Sequence, residues 1–376
     1  MTELRTRSSP TINETISLLL QRDLVSSEEI ILGALRIVAS TSRNRHVRIE
    51  SAPTGFFVKY PEHLSPGSLG TTTNEARFLQ VVSRLDDRYR ARLPQFVLYE
   101  NEAHLLIIEL LRSHRTFALH CSEHDYPQFP LGLCARIGEA LAELHALLAA
   151  DLAQFSQLSL KSTPPWASEI HRPALSNLGL VSSATLDVIR IVQQSPVIPE
   201  ALGRFPRLWK PACVIHGDVK ADNILIDAVE GNVPNVRLVD WEMVQVGDPL
   251  WDAAGFIQEL LLLWIKHLPY GPDGDVEIAL TGAKLPFVVI QAAIRRFWAE
   301  YTRGQGPRRT PTDHATHVVA HFVGVRLVQT AYEMTVHRSE IPAAVRLILQ
   351  LSENILSDTR SAAIDILNID VTDAPL

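Results

Sequence analysis

Three cysteines in 376 residues, Cys121, Cys134 and Cys213, are too few and too scattered for a disulfide framework or a zinc site. Without such spacing, a reducing cytoplasm is the expected compartment. Positive charge is not in excess. The formal net charge is -7, which excludes a surface that gathers nucleic acid or anionic membrane by electrostatics. No apolar run is long enough to span a bilayer. The most apolar, Leu260 to Ile265, follows Gln258 and Glu259, stops at Lys266 and reads as buried helix. The start, MTELRTRSSPT, is polar and lacks a signal-peptide core. Glycine (18) and proline (23) are too few for a disordered or collagen-like chain. There is no internal repeat and no low-complexity tract. What remains is ordinary globular composition, 46% hydrophobic and 20% charged, in a chain long enough for two or three packed units.

The texture changes along the chain. Thr11 to Arg22 sets Ile12, Ile16, Leu19 and Leu20 on one helical face. LRIVAS, HVRIES and GFFVKY then read as three antiparallel strands, and Asn74 to Leu85 as a helix. QFVLYE and AHLLIIEL follow as a hairpin with Asn101-Glu102 at its tip. Beyond these the chain reads as mostly helical: Leu131 to Ala150, Ser182 to Gln194, Glu200 to Leu208, Pro249 to Lys266, Leu285 to Arg303, Thr312 to Arg338 and Ile341 to Asp358. Asp248-Pro249 is a helix-start signal, an N-cap side chain and then proline in the first turn. Loops are expected around Ser162 to Ser168 and Gly304 to Pro311. Three compact strands, CVIHGD, NILID and VRLVD, interrupt the helices. The expected organisation is an N-terminal helical extension over 1–34, a small α+β portion over 35–112 and a helical portion over 113–376.

The strand-rich interruption carries the chemistry. His216-Gly217-Asp218-Val219-Lys220-Ala221-Asp222-Asn223 leads into ILID and, after a turn, LVDWE. A buried strand would deliver Asp218 on a rigid loop, Asn223 would open the next strand and Asp240 would close a third. Such a layout can bring two carboxylates and an amide together. Magnesium prefers oxygen ligands and binds through one or two carboxylates plus substrate phosphates, so Asp240 and Asn223 are ligand types that suit it. Asp218 is left to accept a hydrogen bond from an attacking hydroxyl. A carboxylate of ordinary basicity is enough, because a loose phosphoryl transition state needs orientation more than early proton removal. HGD alone is a weak signal, since Asp and Asn often sit in turns to bond backbone amides. The joint pattern is specific: HGD, Asn five residues past the Asp, an apolar strand, then a strand ending in DWE.

HGDxxxxN and DWE…GDPLWD resemble the catalytic and metal loops of the aminoglycoside-phosphotransferase and choline-kinase family. That resemblance implies a bilobal protein-kinase-like α+β fold, with a small antiparallel-sheet N-lobe and a mostly helical C-lobe, using ATP and Mg2+. It implies Asp218 as catalytic aspartate, Asn223 and Asp240 as magnesium ligands, His216 as a buttress of the loop and Asp252 as its structural support. Lys59, on the third strand, falls where the family carries its phosphate-binding lysine, and Glu75 is its expected ion-pair partner. Leu105 to Glu109 should lead into the adenine-binding hinge.

Two departures bear on nucleotide and acceptor. The loop that should cover the phosphates, Ser40 to His46, has no glycine. There Ser42, Arg43 and Asn44 are the expected phosphate donors. Lys220, two residues after the catalytic aspartate, matches protein kinases, where lysine contacts the transferring phosphate. HGDVKADN, SRNRH, WEMVQVGDPLWDAAGFIQELLLLW and LVQTAYE are similar to the stand-alone kinases of class V lanthipeptide and thioamitide biosynthesis. That similarity implies a Ser or Thr of a precursor peptide as acceptor, with a separate phosphate lyase as partner. Two alternatives stand beside it. One is a small-molecule kinase for an aminoglycoside, sugar or amino alcohol, with Glu259, Asp273, Asp275 and Glu277 as candidate acceptor contacts. The other is a catalytically silent pseudokinase binding module.

Overall fold

The computed structural model of the chain describes residues 12–39, 46–51, 55–61, 66–122, 129–174, 181–227, 233–270, 280, 282–304 and 313–369. Along these residues the order is α1 (Ile12–Gln21), α2 (Ser27–Ile31), β1 (Arg36–Ala39), β2 (His46–Glu50), β3 (Gly55–Lys59), α3 (Pro66–Val82), β4 (Phe96–Glu100) and β5 (Leu105–Glu109). Then come β6 (Arg115–Thr116), α4 (Phe117–Ser122), α5 (Leu131–Ala150), α6 (Ser183–Gln194), α7 (Ile198–Leu208), β7 (Cys213–Ile215), β8 (Ile224–Asp227), β9 (Asn235–Leu238) and β10 (Gln245–Gly247). The chain ends in α8 (Pro249–Lys266), α9 (Phe287–Gly304), α10 (Asp313–Glu333), α11 (Ala343–Ser357) and α12 (Thr359–Asp365). No helix among the described residues is long and apolar enough to cross a membrane.

Two compact units emerge. The first combines residues 1–115, 153–160 and 225–244; the second combines 116–152, 161–224 and 245–376. Residues 225–244, which the sequence groups with the helices, thus belong by compactness to the first unit. The amide of Leu238 donates to the carbonyl of Arg92 at 2.8 Å and holds β9 there.

The first unit is built on an antiparallel sheet of order β1-β2-β3-β5-β4. Strand alternation makes its core: Val47 and Ile49 on β2 and Val58 on β3 turn inward while Arg48 faces water. Leu105 and Ile107 of β5 join them, and Leu19 and Val25 cover the cluster. On α1 the buried positions are Thr15 and Leu19, whereas Ile12 is exposed, so the expected stripe is displaced by part of a turn. Helix α3 starts eight residues before the expected Asn74, at Pro66, through a glycine- and threonine-rich stretch that local propensity reads as loop. The strand register places Lys59 opposite His46 and Leu106.

The second unit is helical. Fully buried Phe205, Trp251 and Phe322 form its aromatic centre, with Phe205 centroids 5.4 Å from Trp251 and 4.9 Å from Phe322. Helices α5 and α8 run over the expected residues. The side chain of Asp248 caps α8 through the amide of Leu250, and its other oxygen accepts from the amide of Lys210, both at 3.0 Å. Beside α8 a short antiparallel pair, β7 with β10, sets Ile215 opposite Gln245. The expected loop at Ser162 to Ser168 contains the start of a 3-10 turn, Trp166–Glu169. The helix expected to reach Arg338 ends at Glu333. The three cysteines are free and buried, and burial pushes the Cys121 thiol up to about 12.

The aromatic centre sets a stability expectation. Phe205→Ala leaves a void among Trp209, Trp251 and Phe322 and should cost about 3–5 kcal/mol. Urea denaturation followed by tryptophan fluorescence checks it. A cost of a few tenths would mean that this cluster does not hold the second unit together.

Candidate active site

In the first unit one ammonium organises three elements. Lys59, at the end of β3, places its Nζ 2.8 and 2.9 Å from the two carboxylate oxygens of Glu75 on α3. The same Nζ donates to Asp240 Oδ1 at 2.7 Å. Lys59 side chain is 12% exposed, Glu75 1% and Asp240 22%. Burial alone would lower the Lys59 pKa, but the two carboxylates outweigh it and hold the ammonium charged, well above its ordinary range. Burial raises Glu75, with the Lys59 charge opposing.

Local geometry explains why Asp240 arrives there. β9 ends at Leu238, two residues earlier than expected, so Asp240 is not a strand residue. It adopts a left-handed conformation, φ 69°, which is uncommon outside glycine but which aspartate tolerates. A 3-10 turn, Trp241–Met243, follows. The turn is pinned to α3: Trp241 stacks on Phe78 with centroids 4.6 Å apart, and its amide donates to Glu75 at 3.2 Å. The indole Nε1 of Trp241 donates to the carbonyl of Leu238 at 3.0 Å. Glu75 therefore ties the lysine strand to the DWE turn.

In the second unit a buried carboxylate holds the HGD loop. Asp252, fully buried in the first turn of α8, accepts from the amides of His216 at 2.7 Å and Gly217 at 2.9 Å. His145 Nε2 lies 3.1 Å from the same carboxylate, and its Nδ1 lies 3.0 Å from the Tyr301 hydroxyl. Burial opposes ionisation of Asp252, but the bond from His145, the nearby imidazoles and the His216 amide outweigh it and lower the pKa. Gly217 takes φ 82°, which turns the loop, and the amide of Asp218 donates to His216 Nδ1 at 3.2 Å. Lys220 Nζ then lies 2.6 Å from Asp218 Oδ2. Asn223 closes a 3-10 turn rather than opening β8, and its Nδ2 donates to the carbonyl of Asp218 at 3.0 Å. With the amide nitrogen so used, its oxygen is the atom left for a hard cation.

Other expected residues fall differently. The Glu109 carboxylate accepts from Arg237 at 3.0 Å and from the Gln95 amide at 3.2 Å, a tie within the first unit. Ser42, Arg43 and Asn44 lie outside the described residues, as do Asp273, Asp275 and Glu277. Glu259 accepts from the amide of Ala221 at 3.0 Å, and burial raises its pKa. Among the described residues no three His, Cys, Asp or Glu side chains gather as a metal cage. His145 was not singled out by sequence; a lone histidine in an apolar helix carries no signal of its partner.

A sequence model of the phosphotransferase enzyme family matches residues 34–269, a span that contains Lys59, Glu75, Asp240, the HGD loop, His145 and Asp252. The chain belongs to that family. No curated protein matches this phosphotransferase in sequence. Its structure is similar to that of an ethanolamine kinase from Plasmodium vivax, at 12% identity over 91% of this chain and 88% of that one, with a TM-score of 0.54. A choline kinase from Cryptosporidium parvum gives 11% identity, 96% and 99% coverage and a TM-score of 0.57. The GDP complex of an aminoglycoside 2′-phosphotransferase gives 13%, 94% and 98%, and 0.51. At these identities the likeness establishes the fold, the protein-kinase-like one that the sequence resemblance implies.

The Asp252 network yields a pH expectation. Its folded pKa lies below the ordinary value, so its contribution to stability is complete above the ordinary carboxylate range and is lost as pH falls through the folded value. Asp252→Asn should cost about 3–5 kcal/mol near neutral pH, the scale for removing one partner of a buried pair. The gap from wild type should narrow below about pH 4. Chemical denaturation across pH checks this, and a gap that stays constant with pH would contradict it.

Proposed function

We propose that the protein transfers the γ-phosphoryl group of ATP to a hydroxyl, with Asp218 receiving the acceptor's proton. The observation that carries this reading is the Lys59 ammonium held by Glu75 and Asp240, residues 16 and 181 positions away in the chain. Packing does not require that meeting, whereas a phosphate-binding lysine next to a metal-binding carboxylate does. Lys59 would release Asp240 and take the nucleotide phosphates, with Glu75 still aiming it. Asp240 in the first unit and the amide oxygen of Asn223 in the second are each hard oxygen donors of the type magnesium prefers beside phosphates and water. Magnesium, when bound, neutralises charge on the transferring group. Asp218 orients the acceptor hydroxyl, and Lys220 beside it counters phosphoryl charge. His216 and Asp252 keep that loop in place.

A small hydroxyl-bearing molecule is the first reading of the acceptor, since the structurally similar proteins are named for ethanolamine, choline and aminoglycosides. A Ser or Thr of a precursor peptide is the second, and one observation favours it. The Lys220 ammonium at 2.6 Å from Asp218 repels an ammonium on the acceptor and suits a neutral hydroxyl. On that reading a phosphate lyase acts next. Incubation with ATP and magnesium, separately with amino alcohols, aminoglycosides and Ser/Thr peptides, followed by mass spectrometry, decides between them by which class gains a phosphoryl group.

Two substitutions test the machinery. Asp218→Asn should lower turnover by about 10²–10⁴-fold with the fold intact, the scale of a positioned base. Asp240→Asn should remove the dependence of turnover on magnesium together with most of the turnover, because it takes a charge from the metal-binding position. Rates come from coupled ADP release. A wild-type rate in either variant would contradict the assignment of that residue.

A further inference from the structure

Helix α10 carries a charge inside the second unit. Arg326 is 5% exposed. Its hydrogen bonds among the described residues go to neutral groups, while its charge also acts on the carboxylates of Glu259 and Glu333. Its Nε donates to Gln258 Oε1 at 2.9 Å, and Gln258 Nε2 donates to Thr330 Oγ1 at 2.7 Å. Its Nη2 donates to the carbonyl of Val219 at 3.4 Å. Its guanidinium carbon sits 4.7 Å from the centroid of the Trp251 ring, a cation over an aromatic face. Trp251 in turn donates from Nε1 to the carbonyl of Gly217 at 3.1 Å. Gly217 and Val219 are the residues on either side of Asp218. One stacked pair thus grips the peptide carbonyls before and after the aspartate.

The room for this grip is provided by Gly255 on α8. A Cβ there would stand 2.7 Å from the Val219 carbonyl oxygen and 3.1 Å from the Arg326 guanidinium carbon. Any larger residue must push the loop or the arginine away. A buried guanidinium with no carboxylate hydrogen-bonded to it is expensive. The ring face and the carbonyl offset part of that cost, and they do so only with a planar group that can stack and donate at once. A leucine would fill the space but leave the Val219 carbonyl without its side-chain donor.

We propose that Arg326 is a positioning residue for phosphoryl transfer: with Trp251 it holds the carbonyls of Gly217 and Val219, one on each side of Asp218, and so sets the direction of the Asp218 carboxylate and the Lys220 ammonium. This rests on the role given to Asp218 above. A loop free to rotate by a fraction of an ångström loses the near-attack geometry while nucleotide binding, centred on Lys59, is unaffected.

The test uses the full chain as wild type, Arg326→Met, Arg326→Lys, Gly255→Ala and Asp218→Asn. Two properties are read: hydrogen–deuterium exchange of the segment 213–223, and ATP hydrolysis with water as acceptor. Arg326→Met should speed exchange in that segment about tenfold while segments of α5 and α9 keep wild-type rates. Its kcat should fall about 100-fold with KM for ATP little changed. Arg326→Lys, which keeps the charge but not the planar fork, should recover part of both. If Arg326→Met does not fold, Gly255→Ala carries the test, since it retains the arginine and crowds the Val219 carbonyl. Wild-type exchange in the segment, or an increase spread evenly through the unit, overturns the proposal. Full hydrolysis by Asp218→Asn would instead sink the reading of Asp218. Loss in Asp218→Asn with full hydrolysis in Arg326→Met would sink the role of Arg326 alone.

Discussion

A carboxylate can stay charged inside a protein only if its charge is answered at short range, and both halves of this phosphotransferase are arranged around that constraint. In the first unit the carboxylate is Glu75, 1% exposed and answered by Lys59 and the Trp241 amide. In the second it is Asp252, fully buried and answered by His145 and the amides of His216 and Gly217. Each acid lies on a helix and each of its partners lies on a strand, a turn, a loop or a second helix. Satisfying the acid therefore fixes those elements relative to one another within its unit.

The consequence is rigidity where the chemistry needs it. Lys59 approaches Asp240 on a strand that the sheet holds on both sides. Asp240 is turned by a left-handed backbone and locked by the stacked Trp241 and Phe78. Asp218 hangs from a loop whose amides go to Asp252 and His216, and whose carbonyls go to Trp251, Arg326 and Asn223. On the proposed reading Lys59 need only release Asp240, and the other groups act on developing charge without first rearranging. Phosphoryl transfer asks for little else from a protein, since the reaction needs positioning and charge more than covalent help.

Much of this was legible in the amino-acid sequence, for physical reasons that can be named. Helix α8 announces itself with Asp248 before Pro249, a cap that the structure shows bonded to Leu250. The HGDVKADN and DWE stretches keep their acids next to turns, and the Lys59–Glu75 pair joins a strand end to a helix as the resemblance implied. What escaped depends on contacts far apart in the chain. The early start of α3 at Pro66 runs against the local propensity of its glycines and threonines. The left-handed Asp240 looks like the end of a strand when only the apolar run before it is counted. His145 and Arg326 sit in apolar helices, and their partners lie 107 residues away for His145 and 107 for the Arg326 bond to Val219. For Arg326 a signal was present: a lone charge among Val323, Val325, Leu327 and Val328 marks a position in an apolar helix whose charge has to be answered.

On the proposed reading, the Lys59–Asp240 contact is the resting form of a nucleotide and metal site. Isothermal titration of ATP into the protein, with magnesium and with magnesium removed by chelator, tests it most directly. Strong binding heat with magnesium, nearly lost without it, is expected. Binding that is indifferent to magnesium, or no binding in either case, would contradict it.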